Sequence, residues 1–492
     1  MAQICVSLSE ATTVGMIDRM VDLAHVADLF ELRADCVQDL DLLTILRAKT
    51  RPLLLACRPA AEGGRYPDDE SRRRLILLEG VRRGFEYVDV EFRSQFVDVM
   101  VEKAGRGLVV SYHDFDGTPD DLRGLYTAMC AHGADIVKLA VTPQSVSDVA
   151  RLMAFAAEVR EGGGPRLLPI AMGPLGVVTR ILAGRLGAPF TFASPAAGSE
   201  SAPGQLPVKV MDEVYRVRRI GPQTRLYGVV GADVTGSLSP VLHNCAFAAT
   251  DMDAVFVPLS VDAIAPFVEA VAALGVEGFS VTRPFKVGIV PLLGEVDEMA
   301  ALAGSVNTVK VREDGFLHGI STDGRGVVGP LRRRLDLRGR RVVILGAGGA
   351  ARAAALSLRA RGAIVVVLAR NPTQAASVAS TVGCGHGPLE DLPHCTWDIL
   401  INATPVGSGA LRHETPVPAH LHRPGAVVFD MVYDPLETRL LHDARSAGSS
   451  VIDGMEMLLE QAAAQFSFWT GKPVPLAAMQ DAAVAATRPR TF

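Results

Sequence analysis

Asp135-Ile136-Val137-Lys138-Leu139-Ala140-Val141 is a short β-rich run with one cation at its centre. Side chains of a strand alternate between two faces, so Val137, Leu139 and Val141 share a face suited to packing against helices, and Lys138 points the other way. Comparable runs recur at residues 4–8, 29–33, 53–57, 87–91, 108–111, 167–171 and 190–192, each followed by a helix-like stretch. Eight strands alternating with helices predict an α/β fold that closes into a (β/α)8 barrel. A doubly wound open sheet is the alternative arrangement. The same parity turns Glu31, Arg33, Arg58, Asp89, Glu91, Ser111 and His113 inward, near the C-terminal strand ends where barrel active sites lie. Charges buried inside a parallel sheet require partners or a task.

The chain has 492 residues, 49% hydrophobic and 21% charged, with a formal net charge of -5. Its length suits about three average domains. Without a basic excess, nucleic acid is not an expected partner. No apolar run approaches the ~20 residues of a membrane span, so no membrane partner is expected either. The first residues lack a basic and apolar leader, and seven cysteines without a C-x-x-C pattern fit reduced thiols, so a cytoplasmic location is expected. Lysine occurs only at 49, 103, 138, 209, 286, 310 and 472. In so Arg-biased a chain, an inward lysine stands out, because lysine can lose its proton near neutral pH and arginine cannot.

A lysine shielded from water and surrounded by arginines is expected to have a lowered pKa, leaving amine to attack a ketone and form a Schiff base. The protonated imine then draws electrons from the neighbouring carbon. His113 can take the proton released there and return it to a leaving group. Arg58 and Arg180 suit a substrate carboxylate, which two N–H groups can hold together. This is carbon chemistry on a small anionic ketone.

Phe30-Glu31-Leu32-Arg33-Ala34-Asp35, Cys57-Arg58-Pro59-Ala60-Ala61-Glu62-Gly63-Gly64, Ser111-Tyr112-His113-Asp114-Phe115 and Val137-Lys138-Leu139-Ala140 come in order along the first half. With Val178-Thr179-Arg180 and Ser201-Ala202-Pro203-Gly204-Gln205, they closely resemble type I 3-dehydroquinate dehydratase, up to about residue 215. The resemblance implies that Lys138 forms an imine with the C3 ketone of 3-dehydroquinate, that His113 is general base and acid, and that Glu62 assists it. It implies that Glu31, Arg33, Arg58, Arg180, Ser201 and Gln205 bind the ring hydroxyls and carboxylate. Isolated members are often dimers, so a homodimer is the expected assembly.

Residues 216–225 turn polar around Gly221-Pro222, which suits a short linker. A new strand at 226–230 then opens a second α/β region without repeating the first. Its clearest signal is Arg341-Val342-Val343-Ile344-Leu345 running into Gly346-Ala347-Gly348-Gly349-Ala350-Ala351. A buried strand, a glycine turn and an alanine-rich helix form the dinucleotide-binding arrangement. Gly346 permits the turn, Gly348 lets amides approach a pyrophosphate, and Ala351 allows close helix packing. The next strand, 364–368, ends at Ala369-Arg370-Asn371 without the acidic residue that would hold an unmodified ribose. Arg370 can meet a 2′-phosphate instead, so NADP is the expected cofactor.

Around this lie Gly236-Ser237-Leu238-Ser239-Pro240, Val281-Thr282-Arg283-Pro284-Phe285-Lys286, Val306-Asn307-Thr308, Ser321-Thr322-Asp323-Gly324, Ile401-Asn402-Ala403-Thr404-Pro405, Asp430-Met431-Val432-Tyr433-Asp434-Pro435 and a segment from Asp453-Gly454 to Gln461. Hydroxyl and amide clusters of this kind suit a polyhydroxylated substrate. Together they resemble shikimate dehydrogenase from about residue 226 onward. The resemblance implies that Lys286 and Asp323 form the catalytic pair, with Lys286 handling the proton of the reacting oxygen. Ser237, Ser239, Thr282, Asn307, Tyr433 and Gln461 would contact substrate. Gly346, Gly348, Gly349, Ala350, Arg370, Thr404, Met431 and Gly454 would line the cofactor site. Ser280 and Ser321 depart from the usual asparagines, Arg283 from a small or apolar residue, and Gln374 from a second base near Arg370. Cys384, His386, His394 and Cys395 are all metal-ligand types, but their spacing fits no standard structural site. No metal is expected, and the segment reads as a loop.

The expected domains are a dehydratase barrel at 1–215, a substrate domain at 226–325 completed by helices in 454–492, and a Rossmann-type NADP domain at 326–453. The combined reading is a fused enzyme of the shikimate pathway of aromatic amino acid biosynthesis. It would dehydrate 3-dehydroquinate to 3-dehydroshikimate and reduce that ketone to shikimate with NADPH. Two rivals differ in class: a second half that oxidises quinate with NAD, and a non-catalytic metabolite sensor. The sensor predicts loss of Lys138, His113, Lys286 or Asp323, and all four are present.

Overall fold

The computed structural model describes residues 2–67 and 69–487; Met1, Asp68 and residues 488–492, the end of the expected substrate domain, lie outside them. Two compact units result. One holds the chain up to Leu226 with 232–236 and 253–276; the other holds 227–231, 237–252 and the chain from Glu277 onward.

In the first unit, β1 (Gln3–Leu8), β2 (Leu29–Arg33), β3 (Leu53–Ala56), β4 (Tyr87–Glu91), β5 (Leu108–Asp114), β6 (Ile136–Val141), β7 (Arg166–Ala171) and β8 (Phe190–Ala193) form one sheet in the order β7-β6-β5-β4-β3-β2-β1-β8. Every ladder within it is parallel, so the (β/α) alternation expected from the sequence is present. Register carries the inward set around the barrel: Ser7 lies beside Glu31, Glu91 beside Ser111, and Ser111 beside Lys138. Cys5, Leu29, Leu54, Val109, Ile136, Leu168, Phe190 and Phe192 pack in one buried apolar cluster with Tyr87 against it, flooring the barrel below the polar groups. Fully excluding such side chains from water stabilises by about 1.5–3 kcal/mol each.

The barrel differs from the closed form in one place. Among the described residues no ladder joins β7 to β8. Side-chain hydrogen bonds to the following helix take over there. The amide of Ala171 donates to Thr179 Oγ1 at 3.0 Å, and Thr191 Oγ1 donates to the carbonyl of Arg180 at 2.8 Å. Both Thr179 and Arg180 lie on the helix Gly173–Ile181. This helix approaches so closely that a Cβ on Gly176 would stand 2.1 Å from the carbonyl oxygen of Ala171.

The segment read as a linker is packed instead. Val217 and Ile220 are buried, and Arg218 bonds Asp28 at 2.8 Å as well as Asp212. Its apolar and ion-pairing residues outweigh the polar composition that suggested a loose connection.

β9 (Arg225–Gly231), β10 (Ala254–Ser260), β11 (Val276–Val281), β12 (Glu295–Val296), β13 (Thr308–Val311) and β14 (Leu317–Ile320) form a mixed sheet in the order β10-β9-β11-β13-β14-β12. The remaining strands, β15 (Arg341–Leu345), β16 (Ile364–Ala369), β17 (Gly385–Pro388), β18 (Ile399–Asn402), β19 (Val427–Asp430) and β20 (Ser450–Ile452), form a parallel sheet in the order β17-β16-β15-β18-β19-β20. That is the 3-2-1-4-5-6 order of doubly wound nucleotide-binding folds, with a switch point between β15 and β18. Residues 385–388, read as part of a loop, are the edge strand β17, paired to Val366–Ala369 of β16. The expected boundary at 325/326 falls inside the helix Asp323–Arg332. Among the described residues no helix is long and apolar enough to cross a membrane.

Gly176→Ala should destabilise the barrel by about 2 kcal/mol through overpacking. Gly117→Ala, where an added Cβ meets nothing within 4 Å, should leave it unchanged. Scanning calorimetry of the two variants checks this contrast.

Candidate active sites

Glu31, Arg33, Arg58, Glu62, His113, Lys138, Arg180, Ser201 and Gln205, drawn from strands, loops and the helix Gly173–Ile181, line one cavity. At its base Lys138 Nζ donates to Asp89 Oδ2 at 3.0 Å and lies 4.7 Å from the centre of the Phe192 ring. Arg58 Nη2 donates to the same oxygen at 2.8 Å, while its Nη1 reaches Glu91 Oε1 at 2.8 Å and Ser111 Oγ at 2.9 Å. Ser111 in turn donates to Asp89 Oδ1 at 2.5 Å. The lysine expected among arginines therefore has a carboxylate as its nearest partner.

The three cavity arginines differ in what they have left to offer. Arg33 is held by Asp35 at 2.9 and 2.7 Å. Arg58, expected to grip a substrate carboxylate, is already engaged by two protein carboxylates. Among the described residues Arg180 has no carboxylate partner. It is buried, donates from Nη2 to the carbonyl of Pro203 at 3.2 Å, and leaves Nε without a hydrogen bond among those residues. Burial lowers its pKa to about 10. Nearby, Ser7 Oγ donates to Glu31 at 2.6 Å, and Gln205 Nε2 reaches Ser7 and Ser201 at 3.3 and 3.0 Å.

His113 Nδ1 lies 3.0 Å from Glu62 Oε2, with Phe115 stacked beside the imidazole. Burial, reinforced by the charges of Arg58 and Lys138, holds the His113 pKa well below its ordinary value. Burial and the charge of Glu91 raise Glu62 to about 7. Asp89 goes the opposite way: burial would raise it, but Arg58 and Lys138 outweigh burial and keep it ionised.

A second cluster forms around Asp323, which has no exposed surface. Lys286 Nζ donates to its two oxygens at 2.9 and 2.7 Å, Asn307 Nδ2 at 2.8 Å and Gln461 Nε2 at 2.6 Å. Asn307 is fixed by the amide of Thr322 at 2.8 Å and the hydroxyl of Thr308 at 2.9 Å. These four expected residues thus meet at one carboxylate. Ser237 accepts from the amide of Ser239 at 3.2 Å and hydrogen-bonds the Tyr433 hydroxyl, whose pKa burial raises. Thr282 is anchored through its amide to Val230 at 2.8 Å. The hydroxyls of Ser280, Ser305 and Ser321 are buried without a hydrogen-bond partner among the described residues.

At the switch point, Gly346 takes φ 108°, which a side chain would strain. Gly348 caps the helix Gly349–Arg359, and an added Cβ there meets nothing within 4 Å. First-turn amides of a helix have no intrahelical acceptor and favour an anion. Thr404 follows β18 and donates to Asn402 Oδ1 at 2.7 Å. Met431 donates its amide to the carbonyl of Asn402 at 3.0 Å. Gly454 is obligatory, since a Cβ would fall 2.5 Å from the backbone of Val432. Arg370 is exposed just after β16, and neither it nor its neighbours Asn371 and Pro372 is acidic. This donor set fits a dinucleotide with an extra phosphate on its ribose.

Some site residues fall outside the expected set. Asp89, Glu91 and Ser111 were read as inward but given no binding role, and they form the charge network beneath the cavity. Ser7 and Asp35 carry no separate signal beyond strand parity and proximity to the Glu31 motif.

Residues 4–222 match the family described as Type I 3-dehydroquinase, residues 229–309 the shikimate dehydrogenase substrate binding domain, and residues 454–484 the shikimate 5'-dehydrogenase C-terminal domain. The chloroplastic bifunctional 3-dehydroquinate dehydratase/shikimate dehydrogenase of Arabidopsis thaliana is 36% identical over 492 residues, spanning 93% of this chain and 81% of the relative. The shikimate dehydrogenase (NADP(+)) of Pyrococcus abyssi is 44% identical over 249 residues, 50% of this chain and 92% of that one. A crystal structure of shikimate 5-dehydrogenase from Thermus thermophilus, in complex with NADP(H) and shikimate, aligns with a TM-score of 0.50 at 33% identity. It covers 53% of this chain and 99% of its own.

The paired shifts of His113 and Glu62 predict a tautomer switch. Below about pH 7 Glu62 is protonated and donates to Nδ1, leaving the proton of a neutral imidazole on Nε2. Above it, ionised Glu62 accepts from Nδ1–H and Nε2 is a free base. Nitrogen-15 spectra of labelled histidine should show this exchange near pH 7, with no imidazolium at His113 at pH 6. Comparison with His113→Asn assigns the signal.

Proposed function

We propose that this chain, which belongs to the family of bifunctional 3-dehydroquinate dehydratase/shikimate dehydrogenases, dehydrates 3-dehydroquinate to 3-dehydroshikimate and reduces that product to shikimate with NADPH. The dehydratase occupies the barrel with its packed extension to about residue 222, the substrate domain the mixed sheet β9–β14 with the helices from Gly454 on, and the NADP domain the parallel sheet β15–β20. The observation that carries the first activity is the single cavity in which an amine, a low-pKa imidazole and one uncommitted guanidinium face each other.

In the barrel, the substrate carboxylate docks on Arg180, while Glu31, Arg33, Ser201 and Gln205 take up ring hydroxyls. Lys138 Nζ adds to the C3 ketone, and loss of water gives the protonated imine. His113 Nε2, with Nδ1–H held by Glu62, removes a proton from the carbon beside the imine. It then returns that proton to the departing hydroxyl, and water cleaves the imine to free Lys138. Arg58 acts beneath the substrate by holding Asp89.

In the second site, Lys286 donates the proton that converts the reacting oxygen to a hydroxyl. Asp323 fixes that ammonium while Asn307 and Gln461 hold the carboxylate still. Ser237, Ser239, Thr282 and Tyr433 meet the far side of the substrate. NADPH, when bound, supplies the hydride. Gly346, Gly348, Gly349, Ala350, Thr404, Met431 and Gly454 would hold it, with Arg370 on its 2′-phosphate. The relatives named for NADP(+) and shikimate support this assignment. The seven free cysteines support a reducing compartment, and we place the chain in the cytoplasm.

Borohydride with 3-dehydroquinate should leave a permanent mass addition on Lys138; an unmodified Lys138 after trapping refutes the dehydratase assignment. Lys138→Ala should lose dehydration and keep shikimate oxidation. Among shikimate and quinate, each with NADP and NAD, shikimate with NADP should give the highest kcat/KM; quinate with NAD leading would refute the second assignment. Arg370→Ala should weaken NADP by about ten-fold or more, the worth of a charge-assisted hydrogen bond, and leave NAD unaffected.

A further inference from the structure

Arg73 lies on the helix Glu70–Arg83, and no role above uses it. Its side chain is 1% exposed, whereas its neighbours Arg72 and Arg74 are on the exposed side of the same turn. Arg73 Nη1 donates to the carbonyl of Cys57 at 3.0 Å and to Glu91 Oε2. Its Nε and Nη2 hold Glu70 at 2.9 and 2.6 Å, and the guanidinium covers the Phe96 ring at 4.5 Å.

Through Glu91 this arginine is joined to the reacting amine. Glu91 gives one oxygen to Arg73 and the other to Arg58 at 2.8 Å. Arg58 gives its second nitrogen to Asp89, and that Asp89 oxygen is shared with Lys138. Five buried charges therefore alternate in sign from the helix to the cavity. Removing a member of such a row leaves its neighbour uncompensated. Without Arg73, both Glu91 oxygens compete for Arg58 and draw its guanidinium off Asp89. Asp89 then has Lys138 as its one cation, and its undivided hydrogen-bonding capacity holds the Lys138 nitrogen against the base of the cavity, away from an incoming carbonyl.

We propose that Arg73 is a positioning residue for the dehydration, occupying Glu91 so that Arg58 keeps its share of Asp89 and the Lys138 amine is released to the ketone. This rests on the reading of Lys138 as the imine-forming lysine.

The full chain carries its own control, because shikimate oxidation does not depend on this network. Arg73→Met should lower the dehydration kcat and the rate of borohydride trapping about ten-fold or more, with KM changed less than about three-fold. Arg73→Lys, which keeps the charge, should recover most of the rate. Arg73→Met combined with Glu91→Gln should be faster than Arg73→Met alone, since the orphaned carboxylate is gone. Unchanged trapping in Arg73→Met, or a double variant as slow as the single one, overturns the proposal. If Arg73→Met alone fails to fold, the double variant is compared with Glu91→Gln. Equal kcat supports the proposal, and a further loss overturns it. Wild-type protein that is not trapped at Lys138 refutes the underlying reading instead, whatever the variants do.

Discussion

The carboxylate of Asp89 has no exposed surface and serves two cations at once. An isolated carboxylate at that depth would take up a proton, because burial disfavours its charge. Here Arg58 and Lys138 reverse the preference, and Ser111 fixes the remaining oxygen. The cavity above depends on this arrangement. It sets where the Lys138 nitrogen stands, and it commits Arg58 to the protein so that Arg180 is the guanidinium left for an anionic ligand.

The second half solves a related problem with a different balance. Asp323 is equally hidden, but its partners are one cation and two amides. Amide donors orient a carboxylate without adding charge, so Lys286 keeps a single, fully opposed counter-ion. Under the proposed roles, the amine that attacks carbon shares its anion with a second cation, and the amine that donates a proton has an anion of its own. The two sites differ in how many cations each aspartate must satisfy.

Much of this was legible beforehand, for physical reasons. Strand parity is strict, so the positions of Lys138, His113, Glu31 and Arg58 inside the barrel followed from counting in twos. The glycine turn after β15 followed from backbone geometry that only glycine tolerates. What a side chain does once inside was harder to read. Arg58 looks like a carboxylate clamp until Asp89 and Glu91 are seen to occupy it. Arg73 sits in the run Arg72-Arg73-Arg74, where sequence offers no way to tell a buried guanidinium from two solvated ones. The strand β17, written Gly-His-Gly-Pro, has almost no β-forming residues and exists because β16 offers it an edge. Residues 216–225 read as polar, yet Val217 and Ile220 suffice to bury them.

The seam between β7 and β8 ties local mechanics to ligand capture. Everywhere else the barrel wall is laced by a ladder of amides and carbonyls. Along this line two threonine hydroxyls do that work through one helix, and the residue whose carbonyl takes Thr191 is Arg180. Opening costs least where the fewest bonds must break, so this line is where the wall opens most readily, beside the Arg180 guanidinium. On the proposed role of Arg180, a ligand carboxylate gripped there would tie the helix, both threonines and β8 into one unit and brace the weakest joint of its own container.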